Sequence, residues 1–375
     1  MLLLLSLHRL TASQFKRNGV PAFAITGAAF FLSHHAQLFP GEFIYDNLME
    51  IMTLLNITAI IFALLLFVKG VYLPSTSDHG SSEFFPFRIY WGEELYPSVM
   101  GVDLKHFVIC RIGMMAWWLF TISFTLASIR HHGALMPATA ASVVLNFLYV
   151  LKFSFFEVPG YMSAADIAVD RCVPARCCIH SNMKFFPRFG FMLCWGTIAF
   201  MPLVHNLQTL HLVKGSSVLR LSWTAAAAWI VFGIVMIALN YDSDTQRHRV
   251  RAAGGKCLVW GRPARVIRAV YRDATGAAHH NLLLACGYHG IVRHFHYAPD
   301  IVLLFLYCAP AGFNTLLPFT YFIYLTALLL DRCQRIDRRC RAKCDLRASV
   351  TSSALMCPAG TARRGRSMSS SCRTS

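Results

Sequence analysis

Leu282-Leu-Leu-Ala-Cys-Gly-Tyr-His-Gly-Ile-Val-Arg-His-Phe-His-Tyr-Ala-Pro-Asp300, followed directly by the apolar run 301–330, decides how this chain folds. The stretch breaks at Gly287, turns again at Gly290, and then presents Arg293, His294, His296, Tyr297 and Asp300. As one helix, the run behind it would measure about 45 Å, against a bilayer core of about 30 Å. Pro310, Gly312 and Pro318 interrupt its middle, and basic segments flank it on both sides. Basic flanks stay on the cytoplasmic face. The run is therefore expected to enter and leave on one side, as a short-legged helical hairpin. Irregular backbone at that depth is tolerated only where it is buried in protein or lines a cavity, so the hairpin predicts a pocket.

The rest of the chain has the same character. Of its 375 residues 56% are hydrophobic and 14% charged, with a mean hydropathy of +0.49; a soluble domain is charged at about a quarter of its positions. Candidate spans cover roughly 19–40, 46–72, 106–128, 133–156, 189–212 and 218–240. The expected fold is all-α, a polytopic transmembrane helix bundle of about 8–10 spans whose C-terminal hairpin lines a pocket. The net charge of +17 would suit nucleic acid, but the basic residues concentrate in 247–272 and 332–373, beside apolar segments. Positive-inside bias explains that placement, and no basic–aromatic reading motif is present; no nucleic-acid partner is expected.

The 13 cysteines form no framework, and Cys110, Cys194, Cys286 and Cys308 sit in apolar spans, where free cysteine behaves as a small hydrophobe. The chain carries no strand-borne G-x-G-x-x-G, no Walker loop and no H-E-x-x-H, which excludes the soluble chemistries those motifs serve. Cys172, Cys177, Cys178 and His180 match no paired C-x-x-C spacing, so no metal is expected.

The polar segments are where chemistry must lie. Residues 73–101 read as an extramembrane loop containing Gly92-Glu-Glu-Leu-Tyr-Pro97. In 241–280, the longest polar stretch, alternation around Asp273-Ala-Thr-Gly276 predicts a small β-hairpin. The arginines of Gln246-Arg-His-Arg-Val-Arg251 are either a solvated membrane flank or a clamp for a phosphorylated cofactor, since guanidinium pairs bidentately with phosphate. Glu157 and Asp170 are costly near spans unless they face a cavity, a partner or the interface. Arg293-His-Phe-His-Tyr297 is either a snorkelling belt or a ligand site.

These blocks, in this order, resemble the membrane sterol reductases, the family of sterol C14-, C24(28)- and C7-reductases. Gly287-Tyr-His-Gly-Ile-Val-Arg-His-Phe-His-Tyr297 resembles that family's G-W-W-G-x-x-R-H-x-N-Y. Cys110-Arg-Ile-Gly-Met-Met-Ala-Trp117 is similar to its R-x-G segment, and Gly92–Pro97 to its G-x-E-L-x-P. Asp166-Ile-Ala-Val-Asp170 with Phe189-Gly-Phe191 resembles D-I-x-H-D-x-F-G, and Cys340-Arg-Ala-Lys-Cys344 resembles C-x-x-K-Y. Phe295 and the long insert 256–280 look most like the C7-reductase branch.

The resemblance implies an NADPH-dependent reduction of the C7–C8 double bond of a sterol, late in sterol biosynthesis, in a multi-pass protein of the endoplasmic reticulum membrane. It implies sterol taken from the bilayer, contact with membrane lipid, and association with other enzymes of sterol biosynthesis. NADPH contacts carried over fall on Arg247, Arg251, Leu284, His289, His296, Tyr297, Asp337, Cys340, Arg341, Lys343 and Cys344. An unactivated alkene accepts hydride only if an acid protonates or polarises it; Tyr297, Glu157, Asp166 and Asp170 are the candidates. The alternatives are a sterol C14-reductase, or a catalytically impaired, reductase-like sterol binder.

The sequence also departs from the pattern. Tyr288 and His289 stand for the two tryptophans, His296 for the asparagine, Val169 for a histidine and Cys344 for the final tyrosine; Ile336 stands for the aspartate, with Asp337 adjacent. Residues 1–345 read as the reductase domain, 172–188 as an atypical insert, and 346–375 as a disordered, atypical tail. The insert is expected to be unspliced or mistranslated sequence and the tail a shifted frame. Sequencing the transcript tests this: a message encoding both segments intact overturns it.

Overall fold

The computed structural model describes residues 18–75, 84–156, 188–215, 219–272 and 278–348, with the backbone alone for 268–272, 278–281 and 335–348. The chain divides into two compact units, 1–329 and 330–375. Among the described residues four helical runs are long and apolar enough to cross a membrane. These are α3 (Leu48–Tyr72), the run Leu104–His132 that joins α5 (Leu104–Phe107) to α6 (Met114–His132), α7 (Pro137–Phe155) and α11 (Trp223–Ala252). The helix α1 (Gly19–His35) precedes them, with the short helices α2 (Phe43–Asp46) and α4 (Phe85–Trp91) between.

Local chemistry sets these boundaries. Gly133 takes φ +75 beyond α6, in the left-handed region where glycine lacks the Cβ penalty, and Pro137 opens α7. Ser222 caps α11 by accepting from the Ala225 N–H at 3.1 Å. The central helix α6 buries Trp117, Trp118, Phe120 and Phe124, whereas α3 and α11 leave apolar side chains such as Leu65 and Val231 exposed, as helices that face lipid do.

The span expected over 189–212 is broken. It runs as α8 (Phe191–Trp195), a π-helical turn Gly196–Phe200, α9 (Met201–Val204) and α10 (Leu207–Lys214). Pro202 has no N–H to continue an α-ladder. A second π turn, Val108–Gly113, lies between α5 and α6. The two meet closely: a Cβ on Gly113 would stand 2.5 Å from Thr197 Cγ2. Asn206 ties the broken segment to α6. It is fully buried, accepts from Thr121 Oγ1 at 2.6 Å, and donates to the carbonyls of Trp117 (3.0 Å) and Pro202 (2.8 Å).

Residues 92–97, read as part of an extramembrane loop, are tucked in at one end of the bundle. Glu93 and Glu94 are both 2% exposed, which a carboxylate tolerates only when paired. Arg88 meets Glu93 at 2.6 Å, Lys69 meets Glu94 at 2.6 Å, and Arg188 donates to the Glu93 carbonyl. Directly after this segment β1 (Ser98–Val99) pairs with β2 (Val102–Asp103), and further along β3 (Leu258–Val259) pairs with β4 (Arg262–Pro263). The expected hairpin is present as β5 (Val266–Arg272) antiparallel to β6 (Ala278–Leu284).

The short-legged hairpin is also present. Its first leg, α13 (Tyr297–Cys308), passes into a 3₁₀ turn at Ala309–Ala311. These 15 residues reach about 22 Å, too short to cross a core of about 30 Å. After Gly312 (φ +85) and a second 3₁₀ turn, Leu317–Phe319, the chain returns in α14 (Thr320–Ala348). Ala309, Pro310 and Ala311 are buried, and the Pro310 carbonyl accepts from Leu219 N at 3.1 Å. Beyond residue 329 the second unit holds the helical segment 330–348.

Asn206→Leu keeps the volume but removes three hydrogen bonds and leaves buried polar groups unpaired. The variant is expected to lose about 1–3 kcal/mol, read as a lowered thermal unfolding midpoint in detergent. An unchanged midpoint would show that this tie does not hold the broken segment.

Candidate functional site

The site is organised by the polar half of α11. Asn240, Asp244, Arg247 and Arg251 recur at intervals of three or four residues and share one face. Gln246 fixes the chain that returns over this helix, its Oε1 accepting from the Tyr288 N–H at 3.1 Å. That approach requires Gly287, which takes φ +62; a Cβ there would sit 2.7 Å from Gln246 Cδ and 2.7 Å from Val259 Cγ1. The single turn α12 (Tyr288–Ile291) follows and carries His289. At the other end of the returning segment, Asn240 Nδ2 donates to the His296 carbonyl at 2.8 Å, and Asn240 Oδ1 accepts from Lys152 Nζ of α7. One asparagine thus joins α7, α11 and the head of α13.

Four rings gather there. His296 packs against Tyr297 with centroids 4.2 Å apart, His294 stacks on Tyr297 at 5.4 Å, and His289 lies 6.1 Å from His296. Both ring nitrogens of His289 and Nδ1 of His296 are buried without a hydrogen-bond partner, as is Nε of Arg247, whose Nη2 meets Asp244 at 3.0 Å. Burial, reinforced by the Arg247 guanidinium, pushes His289 down to about 4. Burial likewise pushes His296 down to about 3. Both imidazoles are therefore neutral at neutral pH. They offer hydrogen bonds, and positive charge for a phosphate falls to Arg247 and Arg251.

Below the rings one stripe of α13 leads inward. His296, Asp300 and Tyr307 follow at four and seven residues, on one helical face. Asp300 Oδ1 and the Tyr307 hydroxyl are buried without a partner, and Tyr307 is fully buried. Around Tyr307 the bundle is lined with rings: Tyr149 at 6.1 Å, then Trp117 at 5.7 Å from Tyr149, His205 at 4.5 Å from Trp117, and Tyr321 at 3.8 Å from His205. Trp117 Nε1 and His205 Nδ1 are also unpartnered. Buried polar atoms are normally paired. A run of orphaned ones along an aromatic-lined interior marks a place for a polar-tipped apolar ligand.

Arg247, His289, His296 and Tyr297 of the sequence-derived set come together at this end of the bundle. Arg251 reaches the Leu282 carbonyl at 3.4 Å, and Leu284 pairs with Val266 at the base of the hairpin. Asp337, Cys340, Arg341, Lys343 and Cys344 lie on the helical segment of the second unit. Glu157, Asp166 and Asp170 lie outside the described residues. Sequence reasoning missed Lys152, Asn240 and Tyr307. A signal was available for the last: Asp300 and Tyr307 interrupt an apolar run at helical spacing.

A 7-dehydrocholesterol reductase of Arabidopsis thaliana is 36% identical over 330 residues, covering 88% of this chain and 72% of the plant protein. One of Xenopus laevis is 29% identical over 335 residues, with 88% and 66% covered. A Delta(14)-sterol reductase of Methylotuvimicrobium alcaliphilum is 27% identical over 329 residues, with 88% and 70% covered. The chain thus spans 66–72% of the length of these relatives. The model of the Ergosterol biosynthesis ERG4/ERG24 family matches residues 5–347. With nine-tenths of its length matched and a sterol reductase at 36% identity, this membrane protein belongs to the ERG4/ERG24 sterol reductase family.

Proposed function

We propose that this chain reduces the C7–C8 double bond of a sterol, using NADPH from the side of the bilayer where Arg247 and His289 lie. The observation that carries the reading is the continuity of the site. A basic, partly orphaned polar cluster at the bundle end leads along one face of α13 to an aromatic-lined interior. The 36% identity to a plant 7-dehydrocholesterol reductase supports the C7 position. The bacterial relative named for the C14 position, at 27%, supports the alternative. Residence in the endoplasmic reticulum is part of the same proposal.

The orphaned atoms suit a polar, phosphorylated cofactor. Arg247 and Arg251 would take its phosphates, and His289 and His296 would hydrogen-bond as neutral imidazoles. Leu284 and Tyr297 belong to the same proposed set. NADPH supplies the hydride. The overall change adds one hydride and one proton across the alkene and releases NADP⁺. The alkene carbon that does not receive hydride must receive the proton, so an acid has to stand inside the apolar interior. Tyr307, fully buried with its hydroxyl unpartnered, is the nominee from the described residues. Tyr297 at the head of α13 and Glu157, Asp166 and Asp170 remain in the proposal as further acids. The aromatic lining also suits a flat, rigid substrate, and burial excludes water that would compete for the developing charge.

Expression in cells lacking C7-reductase, followed by sterol profiling, tests the activity. The expected result is loss of the C7-unsaturated sterol. Its persistence despite stable protein overturns the proposal, and selective loss of C14-unsaturated sterols assigns the alternative. Saturable NADPH binding by the purified protein is also expected; its absence would favour a sterol-binding role without catalysis.

Two substitutions separate binding from chemistry. Arg247→Ala is expected to raise the NADPH dissociation constant about 10-fold or more, the worth of a charge-assisted pair, with the sterol interior untouched. Tyr307→Phe is expected to leave NADPH affinity unchanged and lower turnover by about 10²–10⁴. Full turnover in Tyr307→Phe would remove that residue from the role of acid.

A further inference from the structure

The strand pair just before the site carries a second surface. In Cys257-Leu-Val-Trp-Gly-Arg-Pro263 the alternation turns Val259 inward and Leu258 and Trp260 outward. The turn between β3 and β4 is a two-residue hairpin with positive φ at both central positions, +50 at Trp260 and +74 at Gly261. Glycine adopts this freely, but a tryptophan held there is strained. The indole sits at the tip, 59% exposed, with an edge contact to Tyr288 at 4.9 Å. Leu258 on β3, and Ile291 and Val292 at the end of the α12 turn that Tyr288 opens, are exposed at 69%, 65% and 57%. Lys256, Arg262, Arg265 and Arg293 are exposed around them, and neither 254–265 nor 290–293 contains an acidic residue.

The height of this patch identifies what covers it. The part of α11 that suits hydrocarbon ends at Leu239, since Asn240, Asp242 and Asp244 follow. Asn240 holds the His296 carbonyl and Gln246 holds Tyr288. The α12 turn is therefore strapped between those two levels, and six residues of helix span about 9 Å. The headgroup layer extends about 5–8 Å outside the core on each side. The patch lies at that layer, where tryptophan and basic side chains are both favoured.

We propose that the β3–β4 tip and the α12 turn form a membrane-surface anchor, with Trp260, Leu258, Ile291 and Val292 at the boundary of headgroups and acyl chains. Lys256, Arg262 and Arg265 select anionic phospholipid there. The anchor depends on bilayer contact alone and stands whether or not the chain reduces sterols. It also bears on the site, because Val259 and Tyr288 of the same strand and turn pack at Gly287, next to His289.

The test uses the full chain in nanodiscs of phosphatidylcholine, with or without phosphatidylserine, made with acyl chains brominated close to the headgroup. The chain has seven tryptophans, so the Trp260 signal is taken as the difference between wild type and Trp260→Phe, a mild change at an exposed position. The expected result is that bromolipid quenches this component and that aqueous iodide does not. Replacing Arg262 and Arg265 by Gln is expected to weaken the preference for phosphatidylserine about fivefold per charge, from about 1 kcal/mol each, while quenching in phosphatidylcholine persists. A Trp260 component open to iodide and untouched by bromolipid overturns the anchor. So does protection from iodide in lipid-poor detergent that rises with protein concentration, which would assign the patch to a second copy.

Discussion

The arrangement at the polar end depends on one fully engaged side chain. Asn240 accepts from Lys152 on α7 and donates to the His296 carbonyl at the head of α13. Because α13 is too short to cross the bilayer, its polar head cannot be located by reaching the far surface. It must be fixed laterally, and a buried amide with both ends satisfied does this with direction as well as energy. Everything the site needs from α13, from His296 down to Tyr307, inherits its depth from that contact. The Ser142 hydroxyl, bonded to the Tyr307 carbonyl at 2.9 Å, fixes the inner end in the same way.

A second constraint is the division of labour between charge and neutrality. The bundle end is strongly basic, but the two imidazoles deepest in it are held neutral by burial and by the neighbouring guanidinium. Two more cations in that space would repel one another and Arg247. Keeping them neutral leaves the arginines to meet phosphate and keeps the histidines as shape and hydrogen-bond elements. The carboxylates of the 92–97 segment are handled by the opposite device, one-to-one pairing with Lys69 and Arg88.

The hairpin was legible in the sequence because three independent signals coincided: an apolar run of the wrong length, Pro and Gly in its middle, and basic flanks on both sides. The β5–β6 hairpin was legible from alternation and turn residues. The breaks in 191–214 were less so, because π turns depend on which neighbouring backbone comes close, here Gly113 against Thr197, and composition does not encode that. The burial of Glu93 and Glu94 was not legible, because Arg88, Lys69 and Arg188, which hold them, are recruited from three separate segments. Of the site, the arginines and histidines announced themselves by motif. Asn240 and Lys152 did not, since each is an ordinary residue until the packing of α7 on α11 brings them together.

The paired π turns carry a consequence for chain length. Successive residues of a helix point about 100° apart, so a one-residue deletion within 108–113 would turn everything after it by that amount. Trp117 and Thr121 would then face away from Asn206, and the aromatic lining would lose its first ring. At these two turns the number of residues is under tighter constraint than their identity. Substitutions there can be absorbed by repacking, whereas a frame-preserving loss of a single codon cannot.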